Sequence, residues 1–193
     1  EAVKNAKGAE TVLLFAGLPD VYESEGYDRA NMDLPAGHNQ LIEAVAKVNK
    51  NVVVILLNGS AVSTSWKKEV AAIVEAYLGG QAGGGAIADV LTGKVNPSGK
   101  LSETFPMRLE DTPTAIDFPS KDGVANYGEG IFIGYRYYDK KKIEPNFPFG
   151  FGLSYTTFSY SDIKANMPSA KDSDAITISV KVKNRGKLAG REV

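Results

Sequence analysis

Cysteine is absent from the 193 residues, which excludes disulfides and thiolate metal sites; it leaves a reducing compartment open, with the cytoplasm favoured over secretion. Histidine occurs once, as His38. A lone histidine argues against a zinc site and against a Ser-His-Asp triad built on this chain, and His38 opens an amphipathic segment where a capping or surface role is the simpler reading. Charge of one sign is not in excess either. The formal net charge of −1 gives no sign of a nucleic-acid surface, and the run Lys140 to Lys142 reads as a solvated turn. No apolar run approaches the roughly 20 residues of a membrane-crossing helix, so no membrane partner is expected. The chain starts at Glu1 without methionine or a signal-like segment, which suits a piece of a longer protein.

What is present is an ordinary globular composition, 43% hydrophobic and 23% charged, enough for one domain or for one domain and part of another. Glu1 to Lys7 reads as the tail of a helix closed by Gly8. Thr11 to Ala16 ("TVLLFA") is short, β-rich and ends at Gly17, as a buried strand would. From His38 to Lys50 the apolar residues Leu41, Ile42, Val45 and Val48 follow helical spacing. Val52 to Leu57 is an unbroken apolar run, the mark of a strand covered on both faces. Strand, helix and strand between Thr11 and Leu57 predict a crossover unit of a parallel sheet. Trp66 to Glu69 reads as a short helix, Ala71 to Leu78 as a third strand, and "AIADVLTG" as a further helix. Leu101 to Phe105 reads as a short strand and Thr112 to Asn126 as loop. The strict alternation from Ile176 to Val182 predicts a half-exposed antiparallel strand. One strand cannot make a sandwich, so that β region is expected to lack its partners, and its bare edges leave a homo-oligomer open.

Two nucleotide motifs fail on inspection. Gly83, Gly85 and Ala88 match a dinucleotide-binding spacing, but the acidic partner expected about 20 residues later finds only Glu103, on a different kind of element. "GKVNPSGKL" is near a phosphate loop, yet its two glycines are one residue too far apart and Leu101 stands where a magnesium-binding hydroxyl belongs.

The chemistry concentrates in Val21 to Leu34 ("VYESEGYDRANMDL"), which packs Glu23, Glu25, Asp28, Asp33 and Arg29 just after the first strand. Pro19 and Pro35 fence the segment, and Gly26 lies beside Glu25, so neither helix nor ladder should continue through it. Ligands of a parallel α/β sheet are met at the carboxyl ends of its strands, where this loop would lie. Paired carboxylates suit glycoside hydrolysis, in which one protonates the leaving oxygen and the other acts as nucleophile or base.

The segments "ESEGYDRANMDLP", "GHNQLIEAV", "GQAGGGAIADVLTGKVNPSGKLSETFP", "YGEGIFIGYRYYD" and "FPFGFGLSYTTF", in that order, closely resemble the family 3 glycoside hydrolases, β-glucosidases above all. The resemblance implies an α/β fold: part of a doubly wound α/β sandwich with a mainly parallel sheet, spanning residues 1–160. The first strands of a β-sandwich of fibronectin type III-like form would follow, with a linker, over residues 161–193. It also implies a missing N-terminal (β/α)8 barrel that carries an aspartate nucleophile, a β-glucoside or oligosaccharide substrate, and no cofactor. Glu25, directly before Gly26, matches the family's acid/base glutamate, with Glu23 as runner-up. Asp28 and Arg29 match the rest of the motif and are expected to form an ion pair that shapes the loop, with contact to the sugar as the alternative. On this reading the fragment alone is inactive. A β-xylosidase or other family 3 glycosidase, and a non-catalytic sugar-binding module, are the alternatives. The aromatic run around Tyr135, Tyr137, Phe147 and Phe149 is expected to tie the α/β domain to its neighbours, with Phe149 costing as much to truncate as a buried phenylalanine.

Overall fold

A short helix, α1 (Ala2–Lys7), leads into β1 (Val12–Gly17), and β1 is followed after a long loop by α2 (Ala36–Val48) and β2 (Val52–Leu57). This is a computed structural model describing residues 1–193. β1 and β2 pair in parallel from Val12↔Val52 to Gly17↔Leu57, and β2 pairs in parallel with β3 (Ala72–Glu75) from Val53↔Ala72 to Leu56↔Glu75, giving the order β1-β2-β3. The chain divides into two compact units, Glu1–Ile87 with Leu101–Phe151, and Ala88–Lys100 with Gly152–Val193. The parallel sheet belongs to the first.

The core of that unit follows from side-chain alternation. Leu14 and Ala16 of β1 and Val52, Val54 and Leu56 of β2 point to one face, where they meet Ile42 and Val45 of α2, Ala6 of α1, Val62 and Trp66. Ile42, Val45 and Ala46 are the buried stripe of α2, spaced as one helical face requires. On the central strand β2, Ile55 is buried on the opposite face as well, which is why its sequence shows no alternation. On β1 the opposite face carries Leu13 and Phe15, both about half exposed. Gly17 ends β1 at a close approach: a Cβ there would fall 2.0 Å from the carbonyl oxygen of Leu57.

Several sequence expectations change. Residues 66–69 form turns, with Lys67 N–H donating to Thr64 and Glu69 N–H to Trp66, and not a helix. The strand expected at Leu101–Phe105 is reduced to one bridge, Phe105 to Phe147, with further main-chain bonds between Leu101 and Gly150–Phe151. The intervening Ser102, Glu103 and Thr104 leave the ladder and line a cavity, so regular pairing stops. The third strand is shorter than its apolar run because Tyr77 takes a positive φ of 48° directly after Ala76, which breaks extended geometry. A helix that the aromatic composition hid, α4 (Tyr135–Lys141), starts at Gly134 with φ of 53°. α3 covers Gly83–Leu91.

In the second unit the alternating segment becomes β5 (Ile178–Asn184), and it does have a partner. β4 (Phe158–Ala165) pairs with it antiparallel, with a register shift between Ser161 and Lys164. Polar residues in β4 obscured its strand character. Asn96 organises this unit: its Oδ1 accepts from Ser154 Oγ and Tyr155 N–H, both at 2.8 Å, and its Nδ2 donates to the Ala189 carbonyl at 2.8 Å.

Candidate active site

The loop leaving β1 lies on the turn leaving β2, at the carboxyl end of the parallel sheet. It is held at two places by side chains of opposite charge. Glu23 Oε2 accepts the Gly59 N–H at 2.6 Å, and Glu23 Oε1 accepts Ser60 Oγ–H at 2.8 Å. Gly59 is part of this cradle, because a Cβ there would lie 3.1 Å from Glu23 Oε2. Arg29 Nη2 donates to Ser60 Oγ at 3.0 Å and to the Ala61 carbonyl at 2.8 Å. Beyond Arg29, buried Met32 and Leu34 and the bond from Ser63 N–H to the Met32 carbonyl (2.8 Å) fix the loop before α2.

Between the two clamps the chain makes a tight reversal. Ser24 and Tyr27 bridge, Gly26 N–H points to Ser24 Oγ at 3.4 Å, and the Tyr27 hydroxyl donates to the Asp20 carbonyl. Glu25 sits at the tip of this turn and is exposed, as are Asp28 and Asp33. The expected ion pair between Asp28 and Arg29 does not form. Arg29 turns inward to the acceptors of the β2 turn, Ser60 Oγ and the Ala61 carbonyl, while Asp28 is exposed to solvent. His38 lies one turn into α2, where its Nδ1 faces the Gly17 N–H at 3.4 Å.

Two glutamates that the sequence reading did not place here complete the neighbourhood. Glu75, the last residue of β3, accepts Tyr77 N–H at 3.0 Å and Asn58 Nδ2–H at 3.2 Å. Burial pushes its carboxyl up to about 7 against those hydrogen bonds, with the charges of Glu103 and Glu23 adding in the same direction. Burial also raises the Glu103 carboxyl, opposed by the Ala61 main chain and the charge of Arg29. The strand-end rule that selects the β1 loop selects Glu75 equally, but in the sequence it lies inside the run Ala71 to Leu78 that reads as one strand, so nothing there marks it as a strand end. Glu103 was visible only as a failed nucleotide-binding partner.

Beside the loop lies a cavity of about 560 Å³ whose lining includes Arg29, Ser60, Glu103, Tyr135, Arg136 and Phe149. Of the loop residues Glu23, Glu25, Asp28 and Arg29 it takes only Arg29; the other three lie outside its wall. The site thus presents a free carboxyl at a tethered tip, able to exchange a proton with a ligand that approaches the carboxyl edge of the sheet.

The raised Glu75 carboxyl makes stability depend on pH in a defined sense. Its folded value of about 7 lies above the ordinary 4.5, so between those limits the folded chain keeps a proton that the unfolded chain has lost. Its contribution is therefore complete below about pH 4.5 and is lost as pH rises to about 7, a decline of about 3 kcal/mol. Thermal unfolding of the protein and of Glu75→Gln from pH 4.5 to 8 should show the variant with the flatter profile. Parallel profiles for the two would contradict this.

Residues 1–155 match the model of the glycosyl hydrolase family 3 C-terminal domain. The chain is 58% identical over 193 residues to thermostable beta-glucosidase B of Acetivibrio thermocellus, covering all of this chain and 26% of that protein. It is 48% identical over 197 residues to a probable beta-glucosidase I of Aspergillus flavus, covering 24% of it. The crystal structure of a Bifidobacterium adolescentis GH3 beta-glucosidase superposes with a TM-score of 0.89 at 46% identity, over 95% of this chain and 27% of that one. A Kluyveromyces marxianus beta-glucosidase in complex with glucose gives a TM-score of 0.88 at 46% identity, over 96% of this chain and 22% of that one. The chain spans about a quarter of the length of these relatives.

Proposed function

Since the chain belongs to glycosyl hydrolase family 3, as that family's C-terminal domain, we propose that it supplies the acid/base glutamate, Glu25, to a retaining β-glucosidase whose nucleophile comes from an N-terminal (β/α)8 barrel. The observation that carries this is the contrast between the two glutamates of the loop. Both oxygens of Glu23 are already occupied by Gly59 and Ser60, whereas Glu25 stands exposed at the tip of the turn. The relatives' names as β-glucosidases support the substrate class.

In this mechanism Glu25 enters protonated and gives its proton to the glycosidic oxygen as the barrel's aspartate attacks the anomeric carbon. The resulting carboxylate then takes a proton from the water that releases the sugar. Retention of configuration requires the two carboxyl groups to lie about 5 to 5.5 Å apart, so the barrel must close over this loop. Arg29 holds the far end of the loop, and Asp28 remains free to reach the sugar. Residues 161–193 form the linker and the opening of a fibronectin type III-like domain in this assignment.

The test is to assay residues 1–193 on an aryl β-glucoside, alone and after addition of the separately expressed barrel, with circular dichroism to establish that each is folded. No turnover is expected from the fragment, because it holds one carboxylate of a two-carboxylate reaction; activity is expected on mixing. Turnover by the fragment alone would refute the split site.

A further inference from the structure

Glu23 is a carboxylate whose oxygens are both spent on the chain itself, and the groups it meets are 36 and 37 residues away in sequence. Its bonds join the loop that carries Glu25 to the turn that ends the central strand. Ser60 Oγ is shared: it donates to Glu23 and accepts from Arg29 Nη2 at 3.0 Å. The two ends of the reversal therefore meet at a single hydroxyl, with Glu25 between them. Underneath, Asn58 at the end of β2 is fully buried and donates to the Ser60 carbonyl at 2.9 Å, so the turn that receives both clamps is itself fixed to the core.

We infer that Glu23 is a positioning residue for Glu25, holding the tip of the β1 loop at a set height above the sheet through its hydrogen bonds to Gly59 and Ser60. This rests on Glu25 being the acid/base group. The tip has little else to define it. It is exposed, and the bonds inside it, Ser24 to Tyr27 and Gly26 to Ser24, set its shape and leave its place over the sheet to the flanking anchors. Met32 and Leu34 anchor only the side beyond Arg29. On the near side the tip depends on Glu23, on the bond from the Tyr27 hydroxyl to the Asp20 carbonyl, and on the Pro19 turn, whose carbonyl accepts Tyr22 N–H at 2.7 Å; of these only Glu23 reaches the turn that ends the central strand. Displacement of a catalytic group by about 1 Å can cost about 100-fold in rate, so loss of the near clamp should be felt in proton donation first.

The prediction separates positioning from a plain structural role by leaving-group dependence. In the full-length enzyme, Glu23→Ala should lower kcat/KM on cellobiose by about 10- to 100-fold. The glycosylation of an aryl glucoside with an acidic phenol, which needs little protonation, should fall much less. Azide should give no rescue, since the Glu25 carboxyl still occupies its face. Glu23→Gln should retain most activity on both substrates, because its Oε1 can accept the Gly59 N–H and its amide can donate to Ser60 Oγ. Ser60→Ala should weaken cellobiose hydrolysis selectively, and the double variant with Glu23→Ala should lose less than the product of the two single losses, because the pair shares one contact while the bond from Gly59 N–H belongs to Glu23 alone. Equal losses on the two substrates, or full activity in Glu23→Ala, would overturn the inference while leaving Glu25 in its role. Azide rescue of Glu23→Ala together with none for Glu25→Ala would instead make Glu23 the acid/base group and overturn both readings.

Discussion

Replacing Glu25 by alanine in the full-length enzyme should slow hydrolysis of cellobiose by about 10²- to 10⁴-fold, the usual contribution of a positioned general acid. The leaving group of cellobiose is its second glucose, a poor alkoxide unless the glycosidic oxygen is protonated as the bond to the anomeric carbon breaks. The acidic phenol of an aryl glucoside leaves as phenolate without that proton, so the glycosylation step should suffer less, and azide, small enough to enter where the carboxyl was, should restore part of the turnover by attacking the glycosyl-enzyme. Stability offers the control. Glu25 is exposed at the tip of a turn, and a surface substitution of this kind usually changes stability by no more than about 0.5 kcal/mol. A variant that loses activity equally on both substrates, shows no azide rescue and melts many degrees lower would owe its defect to folding, and Glu25 would lose its assignment.

Trp66→Ala carries the largest expected loss of stability, about 3 to 5 kcal/mol. Trp66 is 1% exposed and fills the core between the sheet and α2, among Leu14, Ile42, Val45 and Leu56. Its Nε1 donates to Asn39 Oδ1 at 2.9 Å, which ties the turn at 64–69 to the start of α2. Alanine would leave both a cavity and an unmet acceptor. Denaturant unfolding of Trp66→Ala against the parent would measure this, and a loss below about 1 kcal/mol would mean that the core collapses around the gap. Phe149, which its sequence context ranks with buried aromatics, belongs to a lower class: it is 49% exposed and contributes mainly by stacking on Tyr135, with ring centroids 5.1 Å apart. Its truncation should cost about 1 kcal/mol, the scale of one aromatic pair and partial burial.

The local pattern was enough wherever the signal was local. Val52–Leu57 is an uninterrupted apolar run because the central strand buries side chains on both faces, Val54 on one and Ile55 on the other, and its ends agree with β2 residue for residue. The stripe of Ile42 and Val45 marks α2 for the same reason, since the period of the helix is written in the sequence that lines the core. The run Tyr135–Lys141 gave no such signal: three tyrosines among charges have no apolar period, and only Tyr138 is buried in the resulting helix. β4 was hidden in the same way, because its pairing with β5 is a property of two segments and neither carries it alone.

The functional loop divides along the same line. Its acidic residues, its freedom from regular structure and its place after β1 were all set by the sequence from Pro19 to Pro35. Which of two glutamates two residues apart is free was not, because Glu23 and Glu25 have the same chemistry and a turn can present either. That was decided by Gly59 and Ser60, brought by the parallel pairing of β1 and β2 to within hydrogen-bond distance of Glu23. Burial of Glu75 and Glu103 was decided there too. Desolvation depends on how the surrounding chain closes over a carboxyl, and that comes from packing among segments remote in sequence.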